Sequence, residues 1–176
     1  PEADVAFMRE SFQKEFGRDP KTMREDFCGT GFLSCTWVEA ENDFQAFGVD
    51  LDPDPLQWGE VTNVAKLTEE QKKRVELIEG DALEIMPRKA DVLCALNFSW
   101  WIFKTRKALL DYFRAAHENL GEEGLFVLDI YGGPELTQLV EEEQEKEQEE
   151  EEEEEGEEGM WEEEEQEEQR QTEIQT

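Results

Sequence analysis

The stretch that decides the fold is "EDFCGTGFLS", residues 25–34. It sets Gly29 and Gly31 around Thr30, after the strand-like run "KTMREDF" and before "GFLSCTWVEA", which reads as a helix. Glycines at such a junction let the backbone approach a ligand closely and adopt positive φ. The helix start adds free N–H groups and positive potential that suit an anionic group. Taken alone, the same residues also fit a redox-active Cys28 or a plain tight turn, so the surrounding chain has to decide.

Upstream, "ADVAFMRESFQKEF" places Val5, Met8, Phe12 and Phe16 on one helical face. "GRDP" then stops it, with Pro20 as the breaker. Downstream, "FQAFGVD" reads as a buried strand ending at Asp50, and "DPDPLQW" opens a helix with proline in its first turn. "RVELIEGD", "ADVLCAL" and "GLFVLDI" read as three further strands, the second apolar on both faces as buried parallel strands are. Between the last two, "KTRKALLDYFRAAHENLG" is a helix with Leu109, Phe113, Ala116 and Leu120 on its expected apolar face and Gly121 as its stop. Alternating strands and helices with short links predict an α/β fold, a Rossmann-like, open, mostly parallel sheet between helices.

Composition bounds the partners. The 176 residues carry a net charge of −31, and from Glu135 onward 22 acidic residues face only Lys146 and Arg170. The predicted organisation is a helical segment over 1–21, the α/β domain over 22–134, and a glutamate-rich tail over 135–176. The tail holds too few cations for i,i+4 support and too little apolar surface to offset its ordering entropy, so disorder is expected there. Basic proteins are the partners its charge would suit. No basic stripe is present to replace the counterions of a nucleic acid, so nucleic-acid binding is not expected. No apolar run approaches the ~18–20 residues that span a bilayer. Three cysteines without a CxxC pair point to reduced thiols and a cytoplasmic location. With them the single histidine, His117, makes no familiar zinc spacing, so no metal is expected.

In open parallel sheets, ligands bind outside the carboxyl ends of the strands, near the point where strand order reverses. Asp50 ends the second strand about 20 residues beyond the glycine loop, an offset that suits a carboxylate receiving two ribose hydroxyls; it also fits a helix cap, helped by Asp52 and Asp54. Asp81 ends the third strand in "EGDAL", where it can accept from an adenine amino group while the Ala82 N–H meets a ring nitrogen, or where both simply make a turn. Asn97, in "LNFSWW", brings a polar group to the end of the fourth strand. Phe98, Trp100 and Trp101 follow as candidate substrate contacts, with one of the tryptophans expected in the core.

Together these segments resemble the class I S-adenosylmethionine-dependent methyltransferases over residues 23–133. "MREDFCGTG" is similar to the family's first motif, an acidic residue, a spacer and G-x-G-x-G. The resemblance implies S-adenosylmethionine as cofactor, with Glu25 toward its methionine end and Cys28, Gly29 and Gly31 forming the cradle. It also implies Asp50 on the ribose, Asp81 and Ala82 on the adenine, and Asn97 at the edge of the active site. "REDFCGTG", "GVDLDPDPLQWG" and "ALNFSWWIFKTR" look more narrowly like a poorly characterised group of these enzymes. The acceptor implied is a small molecule or a protein side chain, and methyl transfer needs no catalytic triad. Phe27 stands where the motif has its first glycine, which is expected to reshape the wall beside the methionine moiety. The glutamate tail stands where the family places two further strands, so the chain is expected to be a fragment or to have that part replaced. A protein that binds the cofactor without turnover is the alternative. A nicotinamide-dependent oxidoreductase is disfavoured because its G-x-G-x-x-G would require glycine at Ser34.

Overall fold

The alternation resolves into five strands, β1 Thr22–Asp26, β2 Gln45–Asp50, β3 Val75–Glu79, β4 Ala90–Ala95 and β5 Leu120–Leu128. All pair in parallel, in the order β3-β2-β1-β4-β5. This is the open, Rossmann-like α/β sheet expected from the sequence. The computed structural model describes residues 1–130 and 132; the expected disorder and docking role of residues 135–176 lie outside them.

Helix α1 (Glu2–Phe16) and α2 (Phe32–Ala40) pack on one face of the sheet. Side chains alternate between faces along each strand. Met23, Ala46, Val92 and Cys94 therefore share one core with Val5, Met8 and Phe12 of α1 and Leu33, Trp37 and Val38 of α2. Segment 1–21 thus contributes to the same core as the sheet. Trp37, fully buried, stacks on Phe44 at 4.8 Å between ring centroids. Helix α3 (Pro53–Thr62) follows β2 and is capped by Asp52, whose carboxylate accepts from the Asp54 N–H at 3.0 Å. A short helix α4 (Glu69–Lys72) forms in the polar stretch before β3, closed by a Thr68–Gln71 capping box.

Helix α5 (Arg106–Asn119) covers the opposite face, and here the structure corrects the sequence reading in two ways. Its buried stripe is Tyr112, Ala115, Ala116 and Asn119, with Leu109, Phe113 and Leu120 only partly buried. Two polar-bearing residues are buried because each finds hydrogen-bond partners in the loop and strand beneath. The helix also ends without a left-handed glycine: Leu120 is already extended (φ −86, ψ 151), and Gly121 lies within β5. One link departs from strict strand–helix alternation. Residues 80–89 connect β3 to β4 across this face without a helix.

Candidate functional site

The strand order reverses between β1 and β4, so their carboxyl ends leave a crevice between the loops that follow. A cavity of about 400 Å³ opens there, lined in part by Asp4, Glu25, Cys28, Thr30, Leu96, Asn97 and Asp129. A larger groove of about 550 Å³ runs between α1 and α2, away from the strand ends. Its only guanidinium, Arg9, is already engaged by Asp19 and Glu41.

Glu25 lies in the crevice floor on the α2 face of β1, nine-tenths buried. Its Oε2 accepts from the Ser34 backbone N–H at 3.0 Å and the Ser34 hydroxyl at 2.6 Å. No cation pairs with it among the described residues. Burial therefore dominates and pushes its carboxyl up to about 7, against the two Ser34 hydrogen bonds. Its neighbour Cys28 is also buried; burial first, then the charges of Glu25 and Asp50, raise the thiol well above the ordinary cysteine range. Burial likewise carries Cys35 up to about 12 and Cys94 well above its usual value. None has the thiolate character of a nucleophile or redox centre.

The loop after β1 turns on left-handed residues: Phe27 at φ 59, Gly29 at 52 and Gly31 at 61. Above Gly29 no atom lies within 4 Å of where a Cβ would stand, whereas at Gly31 a Cβ would run into the Leu77 side chain. Gly29 thus has open space where a side chain would stand, whereas at Gly31 a side chain would have to displace that of Leu77 on β3. Phe27 is the unexpected member. A phenylalanine in this conformation is strained, and its ring packs toward α5 on Tyr112 (5.7 Å) and Phe103 (6.1 Å). Phe27 is not among the residues that line the cavity.

Asp50 braces two backbones. Its Oδ2 accepts from the Gly29 N–H at 2.7 Å, and its Oδ1 from the Asp52 N–H at 3.0 Å. A carboxylate has further lone pairs to offer. Asp81 Oδ1 accepts from the Leu83 N–H at 2.9 Å, which tightens the turn after β3. Ala82 is 4 % exposed, and among the described residues its N–H makes no hydrogen bond. Neither Asp50, Asp81 nor Ala82 lines the 400 Å³ cavity, so the structure brings Glu25, Cys28 and Asn97 together and leaves these three beside it.

At the end of β4, Asn97 and Phe98 are both left-handed, at φ 56 and 57. Two consecutive non-glycine residues in that region need external restraint. Asp129, just past β5, supplies it: its carboxylate accepts from the Asn97 N–H at 2.7 Å and the Phe98 N–H at 3.0 Å. Trp100 packs into the α5-side cluster and donates from Nε1 to the Asp129 carbonyl at 3.0 Å. Trp101 stays 41 % exposed, edge-on to Trp100 and 5.7 Å from Phe98. Sequence reading missed Asp129 and Ser34. Ser34 had a usable signal, a hydroxyl in the first turn of the helix after the glycine loop; Asp129 had that of an acid at a strand end, but its partners, 31 and 32 residues away, could not be read from it.

His117 is exposed near the end of α5, at the opposite end of the sheet from the crevice. Among the described residues no three His, Cys, Asp or Glu side chains converge as a metal site. No helix among them is long and apolar enough to cross a membrane.

Neither a family model nor a curated protein matches the chain. Solved structures do. The sugar N-methyltransferase KedS8 from a Streptoalloteichus species matches with a TM-score of 0.60 at 24 % identity, over 75 % of this chain and 49 % of that one. CalS10, an amino pentose methyltransferase from Micromonospora echinaspora solved with bound S-adenosylmethionine, matches at 0.60 and 19 % identity, over 76 % and 52 %. The glycopeptide N-methyltransferase MtfA, solved with S-adenosylhomocysteine, matches at 0.58 and 16 % identity, over 74 % and 49 %. The chain therefore has the fold of the class I S-adenosylmethionine-dependent methyltransferases and spans about half the length of the structures it matches.

Proposed function

We propose that this chain binds S-adenosylmethionine in the crevice between the ends of β1 and β4 and serves methyl transfer to a small-molecule or protein acceptor. The observation that carries the reading is Glu25. It is a nearly buried carboxylate that pairs with no cation among the described residues, facing a cavity at the sheet's switch point and flanked by a glycine loop with open space at Gly29. A buried carboxylate of this kind is costly unless a positive group completes it, and the ammonium of a methionine moiety is such a group.

The remaining residues fit the rest of that ligand. Asp50 holds the glycine loop through the Gly29 N–H and retains lone pairs for ribose hydroxyls. The Ala82 N–H, unpaired among the described residues, and the second oxygen of Asp81 suit the ring nitrogen and amino group of adenine. Asn97, Phe98 and Trp101 border the acceptor side, and Asp129 holds Asn97 and Phe98 in place. When bound, the cofactor supplies an activated methyl on a sulfonium. The protein's part is to align acceptor and donor and to exclude water, which can lower a barrier by about 7–11 kcal/mol without a protein nucleophile. With Asp4 paired to the Pro1 ammonium, Glu25 and Asp129 leave the cavity lining acidic, which favours a neutral or cationic acceptor such as an amine over an anionic one.

Calorimetry with S-adenosylhomocysteine tests the reading directly. Saturable heat is expected; none from a folded protein refutes it. With binding in hand, labelled-methyl transfer to a panel of amines, hydroxyls and basic peptides decides between an enzyme and a protein that binds the cofactor without turnover.

A further inference from the structure

Residues 80–89 cross the α5 face of the sheet without a helix, so their backbone groups lack the partners a helix would provide. Buried side chains take that place. Arg24, wholly buried on β1, donates from Nη2 to the Ala82 carbonyl at 3.0 Å and from Nη1 to the Glu84 carbonyl at 3.2 Å. Its Nε donates to Asp26 Oδ1 at 2.6 Å, and the Tyr112 hydroxyl of α5 donates to Asp26 Oδ2 at 3.1 Å. Asn119 completes the set: its Nδ2 donates to the Glu84 carbonyl at 2.9 Å, and its Oδ1 accepts from the Met86 N–H at 2.8 Å. Arg24, Asp26, Tyr112 and Asn119 are each no more than 1 % exposed.

The guanidinium is planar, with its donors in a rigid fork. Engaged by Asp26 on one edge, it presents its other two nitrogens to carbonyls two residues apart in the turn that carries Asp81 and Ala82. We propose that Arg24, oriented by Asp26 and Tyr112, is a positioning residue that fixes the Asp81–Ala82 turn and thereby sets nucleobase selectivity. This rests on the adenine role assigned to that turn above. A purely structural ion pair makes a different prediction, because a buried pair replaced whole by apolar residues often leaves stability unchanged or improved.

The test uses the full chain and two ligands, S-adenosylhomocysteine and S-inosylhomocysteine, which differ at purine C6, amino against oxo, and at N1, an acceptor in adenine and an N–H donor in hypoxanthine. Two variants are compared with the parent: the combined Arg24→Met, Asp26→Leu, Tyr112→Phe replacement, which leaves no orphan charge, and Arg24→Lys, which keeps the charge but cannot reach both carbonyls. In both, the preference for the adenosyl ligand is expected to fall at least fivefold. Amide exchange of Leu83, Glu84 and Met86 in the free protein is expected to speed up at least tenfold, with the β1 and β2 amides unchanged. Parent-like selectivity and exchange in Arg24→Lys would overturn the proposal, even if the combined variant failed to fold. A folded parent that binds neither ligand would overturn the nucleoside reading and this proposal with it. A parent whose selectivity survives both substitutions overturns this proposal alone.

Discussion

The two faces of β1 bury charge in opposite ways. Toward α5, Arg24 and Asp26 neutralise each other at 2.6 Å, and the Tyr112 hydroxyl and two loop carbonyls take up further hydrogen-bonding capacity. Toward α2, one residue along, Glu25 has the hydroxyl and N–H of Ser34 but no cation among the described residues. Burial lifts the Asp26 carboxyl too, yet there the Arg24 guanidinium and the Tyr112 hydroxyl pull against it. The difference separates construction from function. The completed network is closed within the protein, while the incomplete one opens on a cavity, where the proposed ligand would bring its ammonium.

The largest test of this contrast breaks the completed side. Asp26→Ala leaves the Arg24 charge buried without a counter-ion and is expected to cost about 3–5 kcal/mol, read as a lower urea midpoint. A loss under 1 kcal/mol would show the two faces to be energetically alike.

On the incomplete side, removing the charge should act in the opposite sense, and the effect depends on pH. Folding raises the Glu25 carboxyl from 4.5 to about 7, so between those pH values the folded chain holds a proton that the unfolded chain has released. This contribution favours folding fully below about pH 4.5 and is lost as pH rises toward 7. Glu25→Gln should remove that slope and stabilise the free protein above pH 7 by up to about 3 kcal/mol, while weakening S-adenosylhomocysteine. Urea titrations at several pH values decide; an unchanged slope would mean that Glu25 is ordinarily solvated. In the same window, S-adenosylhomocysteine should bind the parent more tightly as pH rises toward 7, because its ammonium favours ionised Glu25. Calorimetry in two buffers should detect the released proton.

Asp50 sharpens the comparison beside the crevice. Asp50→Ala removes the brace on the Gly29 N–H and the proposed ribose contact, and at least a tenfold loss of S-adenosylhomocysteine affinity, about 1.4 kcal/mol, is expected. Unchanged affinity would reject the ribose assignment. The smallest effect belongs to Tyr112→Phe, which deletes one hydrogen bond to Asp26 and keeps the ring packing; about 1 kcal/mol in stability is expected, measured by urea unfolding.

Much of this was legible along the chain because it is local. Apolar runs placed all five strands, helical spacing placed α1 and α5, proline in a first turn marked α3, and the glycine loop with α2 lies where a strand hands over to a helix. The rest depended on contacts between distant segments. Asp26 and Tyr112 are 86 residues apart, and Arg24 and Ala82 are 58 apart. Nothing in "MRED" says which of its charges will be paired. The apolar stripe assigned to α5 was displaced because Tyr112 and Asn119 are polar by type yet buried by partnership. The short helix α4 was passed over because its capping box closes a wholly polar turn.

By itself, the sequence determined an open parallel α/β sheet with a glycine loop after β1 and acidic or amide side chains near the strand ends. Those features follow from local propensity, hydrophobic period and the geometry of strand-to-helix turns. Only the tertiary structure decided that Phe27 turns toward α5, that Asp129 holds Asn97 and Phe98, and that Glu25 alone among the charges of β1 faces a cavity. Each of those outcomes is a matter of burial and hydrogen-bond completion. Such completion depends on which remote group arrives opposite a side chain once the sheet has formed.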